Sequence, residues 1–247
     1  MGKRDGGIVT PAWPQSNGRA AVTGGAGFIG SHLVDHLVQL GHDVAVLDNF
    51  SSGRRDNLAQ SLGHIRLIEG DVRDEEAVRQ ALHGCRVVVH LAAVVSVPQS
   101  VEDPVTTHDV TVGGSVRVLT AARELGVERV IMASSSAVYG ENEITPKTES
   151  LAASPTSPYG AAKLAMEGFG QAFAASYGLH VTSLRYFNVY GARQDPSSQY
   201  AAVVPRFIDA LLSGSRPVIY GDGSQTRDFI PVSYTHLRAH ETVLDLV

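Results

Sequence analysis

Ala21-Val22-Thr23-Gly24-Gly25-Ala26-Gly27-Phe28-Ile29-Gly30 sets glycines at 24, 27 and 30 between an apolar strand-like run and an apolar-periodic helix. A side chain at such a turn obstructs a pyrophosphate, while free amides at the start of the following helix can receive its negative charge. Gly24 and Gly27 therefore shape a phosphate-facing turn, and Gly30 permits helix–strand packing. Phe28 and Ile29 supply amides and apolar contacts rather than acid–base chemistry. A purely structural glycine turn is the competing reading, weakened by the strand before the motif and the helix after it.

Outward from this turn, short aliphatic runs alternate with longer mixed segments, the pattern of helices covering both faces of a parallel sheet. Six runs read as strands: Ala20–Val22, Val44–Leu47, Ile65–Ile68, Val87–Leu91, Val130–Met132 and Val181–Leu184. Helices are predicted near 29–40, 74–82, 104–125 and 158–177, and 141–158 reads as a Pro/Ser/Thr-rich surface loop. The fold class is α/β, a doubly wound parallel sheet. Near Asn188 the character changes to Gly- and Asp-rich turns around a helix over Ala202–Leu212 and a short strand over Val218–Tyr220. This divides the chain into a loose leader (1–18), a dinucleotide-binding domain (19–187), a partial substrate-binding region (188–230) and an atypical tail (231–247).

Composition narrows the function classes. The chain has 247 residues, of which 43% are hydrophobic, so it can build a substantial core. Cys85 is the single cysteine, which rules out an intrachain disulfide and a cysteine metal cluster, and no H-E-x-x-H run is present. No metal is expected. A net charge of −5, from 20 basic and 25 acidic residues, gives no electrostatic basis for binding nucleic acid or acidic lipid. The leader carries no long apolar segment, and no run approaches the roughly 20 apolar residues of a membrane helix, so a cytoplasmic protein without membrane attachment is expected.

Asp48 follows the second strand 18 residues beyond Gly30, where a carboxylate can accept hydrogen bonds from both adenosine ribose hydroxyls. That favours NAD over NADP, although Arg54 and Arg55 leave room for an extra phosphate. A helix-cap role for Asp48 is the alternative. Asn49, Ser51 and Gly53 follow in the loop that would line the adenosine. Asp71 and Val72 follow the third strand, and Leu91, Ala92 and Ala93 follow the fourth, where sheet-edge loops reach adenine and the nicotinamide side. Asp71 also suits capping the helix near Asp74. His90 reads as a structurally satisfied buried histidine.

A second constellation joins Ser134-Ser135-Ser136-Ala137-Val138-Tyr139-Gly140 to Tyr159-Gly160-Ala161-Ala162-Lys163. Tyr159 and Lys163, four residues apart, can share one helix face, so that Lys163 favours the phenolate and reaches the nicotinamide ribose. A serine hydroxyl can hold a reacting sugar hydroxyl while Tyr159 removes its proton. Taken alone, the pair also fits an amphipathic helix with one core aromatic, and the serine run fits a turn.

Together these motifs make residues 19–230 resemble the extended short-chain dehydrogenase/reductase family, in its NAD-dependent epimerase/dehydratase group. The resemblance is nearest to bacterial UDP-glucose and UDP-N-acetylglucosamine 4-epimerases. It implies a Rossmann-type doubly wound sheet with a small, truncated C-terminal substrate domain. It assigns catalysis to Ser135, with Ser136 as the neighbouring candidate, Tyr159 and Lys163. It places Phe187 near the nicotinamide, Asn188 on the nucleotide sugar and Arg227 at its diphosphate. The cofactor it implies is NAD, the partner a UDP-sugar substrate, and the assembly a homodimer. The stretches Leu184–Pro196 and Tyr200–Phe207 are epimerase-like. A dehydratase of the group would carry Thr-Asp-Glu where Ser135-Ser136-Ala137 stands. Dehydratase, decarboxylase or reductase chemistry, and a noncatalytic NAD- or nucleotide-sugar-binding protein, are the alternatives to epimerisation.

The chain departs from the family after Ile230, where Pro231-Val232-Ser233-Tyr234-Thr235-His236-Leu237 stands in place of the usual continuation. A shortened substrate domain leads us to expect compromised substrate binding or activity.

Overall fold

The computed structural model describes residues 18–195, 203–219, 221–224 and 226–234. Residues 1–17 of the expected leader, positions 196 and 200–202 of the epimerase-like stretches and 235–247 of the tail lie outside the described residues.

Six strands form one parallel sheet: β1 (Arg19–Thr23), β2 (Val44–Asp48), β3 (Ile65–Glu69), β4 (Cys85–His90), β5 (Arg129–Ser135) and β6 (His180–Tyr186). Their order is β3-β2-β1-β4-β5-β6, and each coincides with one expected aliphatic run. All five residues of β2 are buried, as continuous apolar runs must be when both faces of a sheet are covered. Strand order reverses between β1 and β4, and open α/β sheets hold ligands beyond the carboxyl ends of the strands at that point.

Alternation along the strands divides the core in two. Val22, Val46, Val89 and Ile131 pack on one face with Leu33, Val34 and Leu37 of α1 (Phe28–Gln39). Ala21, Ala45, Val88, Val130 and Met132 face the other way. There they meet Val78, Ala81 and Leu82 of α2 (Glu75–Leu82), together with residues of two later helices.

The helix predicted over 104–125 forms over residues 104–124, with a π-helical turn inside it. The chain first forms α3 (Val97–Glu102), then α4 (Pro104–Thr107), a π-helical turn (His108–Gly113) and α5 (Gly114–Glu124). Ser96 and Asp103 each accept a backbone N–H at the start of a segment. The hydroxyls of Thr107 and Ser115 donate back to the carbonyls of Asp103 and Thr111, local bonds that compete with a uniform helical ladder. α6 (Pro158–Tyr177) is α-helical throughout: Ser157 accepts from the Gly160 amide at 3.1 Å, and Pro158 fills the first turn, where it displaces no helical hydrogen bond.

Beyond the main sheet, β7 (Asn188–Tyr190) and β8 (Phe229–Pro231) form a two-stranded parallel sheet, with α7 (Val203–Leu212) between them in sequence. The strand expected over Val218–Tyr220 does not form at Val218 and Ile219, which are exposed and pair with no strand; Tyr220 is outside the described residues. Among the described residues no helix is long and apolar enough to cross a membrane.

Candidate active site

The glycine turn is shaped by close backbone approach. Gly24 has φ +70, and a Cβ there would fall 2.8 Å from the Ala92 amide nitrogen. A Cβ on Gly30 would fall 2.2 Å from the Gly24 carbonyl oxygen and 2.8 Å from Gly25 Cα, so α1 can lie this close to the turn only with glycine at 30. Helix α1 starts at Phe28 behind Gly27, with no side-chain cap and no acidic residue in its first turn. Its leading amides and positive dipole end therefore remain open to an anion, as a pyrophosphate site requires.

Asp48 ends β2 and is 7% exposed. It caps no helix. Its carboxylate accepts from the Ala26 amide and from the Phe50 amide, both at 2.8 Å, locking the glycine turn to the second strand. Burial pushes its carboxyl above the ordinary carboxylate value, against the pull of the Phe50 and Ala26 amides. Each oxygen keeps a further lone pair, so ribose recognition is compatible with this anchoring. Gly53 lies against Asp48 and Ala26, and the Ser51 amide donates to Asn49 Oδ1 at 3.0 Å. The cap of α2 is Asp74, not Asp71. Asp71 instead accepts from Asn49 Nδ2 at 2.7 Å and from the Arg73 guanidinium at 2.9 Å, and these contacts, led by Arg73, hold its carboxyl down to about 2. Val72 is buried beneath. Arg55 pairs with Glu69 and lies 4.5 Å from the Phe50 ring centroid. Leu91 and Ala92 are tied back to β1, their amides donating to the Thr23 carbonyl at 3.0 Å and the Thr23 hydroxyl at 3.3 Å, and Ala93 follows them in the same loop.

Ser135, Tyr159 and Lys163 come together at the carboxyl end of β5. The Tyr159 amide donates to Ser100 Oγ at 3.0 Å, and Tyr159 and Lys163 stand one turn apart on α6. Burial raises the Tyr159 phenol, and a hydrogen bond with Ser135 opposes that rise. Ser135 therefore meets the tyrosine, and its Oγ also accepts from the Ala137 amide at 3.1 Å. Ser136 opens the 3-10 turn Ser136–Tyr139. Lys163 is buried, donates to the Ala133 carbonyl at 2.6 Å, and is lowered by burial to about 8.

One layer below lies a group the sequence reading missed. Arg185 Nε and Nη2 donate to Glu167 Oε1 and Oε2 at 2.9 and 2.7 Å, and Ser134 Oγ also donates to Glu167. The Arg185 guanidinium stands 4.8 Å from the Tyr139 ring centroid. Tyr159, Lys163 and Glu167 follow each other at intervals of four on one helix face, a spacing visible in the sequence. Ser100 had no such signal.

The profile of the NAD dependent epimerase/dehydratase family matches residues 20–243. The chain belongs to this family. It is 43% identical over 216 residues to UDP-glucose 4-epimerase of Mycolicibacterium smegmatis, covering 86% of this chain and 69% of that protein. Among solved structures, UDP-N-acetylglucosamine 4-epimerase of Methanobrevibacter ruminantium M1, in complex with UDP-N-acetylmuramic acid, matches with a TM-score of 0.89 and 43% identity. That match covers 94% of this chain and 74% of the other. UDP-glucose 4-epimerase of Thermus thermophilus, in complex with NAD, matches with a TM-score of 0.83 and 40% identity, covering 93% of this chain and 75% of that one.

In this member of the NAD dependent epimerase/dehydratase family, the region after the main sheet draws the remaining predicted residues together. Phe187 links β6 to β7, and Asn188 Nδ2 donates to the Asp228 carbonyl at 3.1 Å. Arg227, the next residue back, is exposed, with Nη1 donating to the Thr226 carbonyl. A cleft of about 430 Å3 opens between the end of β7 and α7, lined by Tyr190, Arg193, Gln194, Pro205 and Ile208 among others; Ser135, Tyr159 and Lys163 do not line it. Arg193 anchors this loop to the main domain, donating to the buried Asp35 at 2.6 Å.

Proposed function

We propose that this chain is an NAD-dependent UDP-sugar 4-epimerase, acting on UDP-glucose and UDP-galactose or their N-acetyl counterparts. The observation that carries the reading is Tyr159 held between Ser135 and Lys163 with no carboxylate at 136 or 137. This equipment suits moving a proton at a sugar hydroxyl and lacks, at those positions, an acid and base for eliminating water. The similarity to 4-epimerases supports the same choice.

The cofactor site fits NAD. The uncapped start of α1 accepts a pyrophosphate and the Asp48 carboxylate accepts ribose hydroxyls. The two nearby arginines each face a carboxylate, Arg55 with Glu69 and Arg54 with Asp56. When bound, NAD would supply a reversible hydride acceptor for C4 of the sugar.

Tyr159 Oη removes the C4 hydroxyl proton as the 4-keto sugar forms and gives it back on reduction. Ser135 Oγ holds the reacting oxygen beside Tyr159. Lys163, fixed by the Ala133 carbonyl, favours the phenolate and reaches toward the nicotinamide ribose. Asn188 on the nucleotide sugar and Arg227 at its diphosphate retain the substrate while the sugar ring turns. Net redox change is zero, so no external oxidant is consumed.

The test is incubation of the purified protein with each UDP-sugar of the glucose/galactose and N-acetyl pairs, with and without added NAD, followed by separation of the sugars. Formation of a C4 epimer supports the reading. No epimer from any pair, loss of water or carbon dioxide, or net consumption of reduced cofactor rejects it. Tyr159→Phe is expected to abolish turnover while leaving the fold intact.

A further inference from the structure

We propose that His90 is a positioning residue for the cofactor site, holding the Leu91–Val94 loop in place through a directional chain of buried hydrogen bonds. The inference rests on the NAD reading above for its functional consequence, but not for its geometry.

The chain can be traced proton by proton. Thr23, His90, Thr111 and Ser115 are each no more than 1% exposed. Ser115 Oγ has one proton, and it is committed to the Thr111 carbonyl. Ser115 must therefore accept from His90 Nε2, which lies 2.9 Å away, and this assigns the imidazole proton to Nε2. His90 Nδ1 is then an acceptor, so the Thr23 hydroxyl, 2.7 Å away, donates to it. With its proton directed there, Thr23 Oγ1 turns a lone pair toward the Ala92 amide at 3.3 Å. Thr111, whose backbone carbonyl receives Ser115, separately accepts the Val94 amide on its own Oγ1 at 3.3 Å. The Ala92 amide is thus held at the end of the chain through His90, and the Val94 amide by the residue on which that chain is anchored.

The loop so held is the wall of the glycine turn. Ala92 is the backbone against which Gly24 closes, and Thr23 immediately precedes that glycine. Thr23 and His90 are also register partners on β1 and β4, the two strands between which the sheet order reverses. Burial, with the Lys163 ammonium a smaller cause, lowers the imidazole to about 3, so the neutral form that the chain requires persists at ordinary pH.

The experiment compares the wild-type protein with His90→Leu, His90→Asn and Thr23→Val. Hydrogen–deuterium exchange is read at peptides covering Leu91–Val94, and NAD affinity by calorimetry. His90→Leu removes acceptor and donor together, whereas the Oδ1 of asparagine can stand where Nδ1 stood and still accept from Thr23. Faster exchange in the loop and an NAD affinity about tenfold weaker are expected for His90→Leu, the size of one buried partner lost. His90→Asn is expected to recover most of both. Thr23→Val, which keeps the side-chain shape, should reproduce the loss and serves if His90→Leu fails to fold. Wild-type exchange in the folded His90→Leu or Thr23→Val protein would overturn the chain of bonds. Faster exchange with unchanged NAD affinity would overturn its reach to the cofactor. A lower melting temperature with both readouts unchanged would leave His90 a structural residue only, and so would also overturn the proposal. Failure of the wild-type protein to bind NAD would count against the cofactor reading, while the exchange measurement would still decide the relay.

Discussion

Lys163 places its ammonium 5.9 Å from the centre of the Tyr159 ring and donates to the Ala133 carbonyl at 2.6 Å, so β5 fixes the cation that faces the phenol. Burial acts on the two groups in opposite directions, raising Tyr159 and lowering Lys163 to about 8. Both shifts favour the neutral forms, and a bound positive nicotinamide would favour the phenolate.

The Lys163 shift has a pH signature. Its folded value of about 8 lies below the ordinary 10.5, so between the two the unfolded chain binds more protons than the folded one. The stability contribution is complete above 10.5 and is lost as pH falls toward 8. Urea midpoints of the wild type should therefore rise relative to those of Lys163→Met between about 8 and 10. Parallel curves for the two proteins would show that Lys163 is not held in this way.

Asp48 serves the fold and the cofactor at once. Asp48→Ala frees the Ala26 and Phe50 amides, at a cost of about 2 kcal/mol in urea denaturation. The same change should weaken NAD binding measured by calorimetry. Unchanged stability would contradict the anchoring geometry.

Gly30 tests the packing of α1 on the turn. The added methyl of Gly30→Ala would meet backbone atoms that have no side-chain freedom to give way. A loss of about 3 kcal/mol is expected, at the upper end for overpacked sites. Thermal or urea unfolding of the variant measures it.

The Glu167–Arg185 pair is a dependent couple. Removing one partner, as in Glu167→Leu, leaves the guanidinium beside Tyr139 without its carboxylate and should cost about 3 kcal/mol. The double change Glu167→Leu with Arg185→Met should recover much of that loss, because paired removal leaves no uncompensated charge. Additive losses in a double-mutant cycle would contradict the coupling.

What the sequence made legible follows from locality. The glycine spacing and the Tyr159–Lys163 interval are set by one turn and one helix, so residues close in the chain suffice to read them. Asp48 was placed correctly at the end of β2, but its hold on Ala26 depends on two strands lying side by side. The same limit hid Glu167–Arg185, which joins α6 to the edge strand β6, and the Thr23–His90–Ser115 chain, which crosses from β1 through β4 to α5. The π-helical turn at His108–Gly113 was concealed because apolar residues recur through it, and back-bonding of hydroxyls leaves no mark on that periodicity. Val218 and Ile219 show the opposite error: β-favouring side chains do not make a strand without a partner in register.

The central claim is tested most directly with UDP-glucose carrying deuterium at C4, incubated with the protein and NAD and analysed by mass spectrometry and NMR. Epimerisation by hydride removal and return predicts UDP-galactose with deuterium retained at C4 and none released to water. Deuterium washed into solvent, deuterium found at C6 with loss of water, or the absence of any galactose product would contradict it.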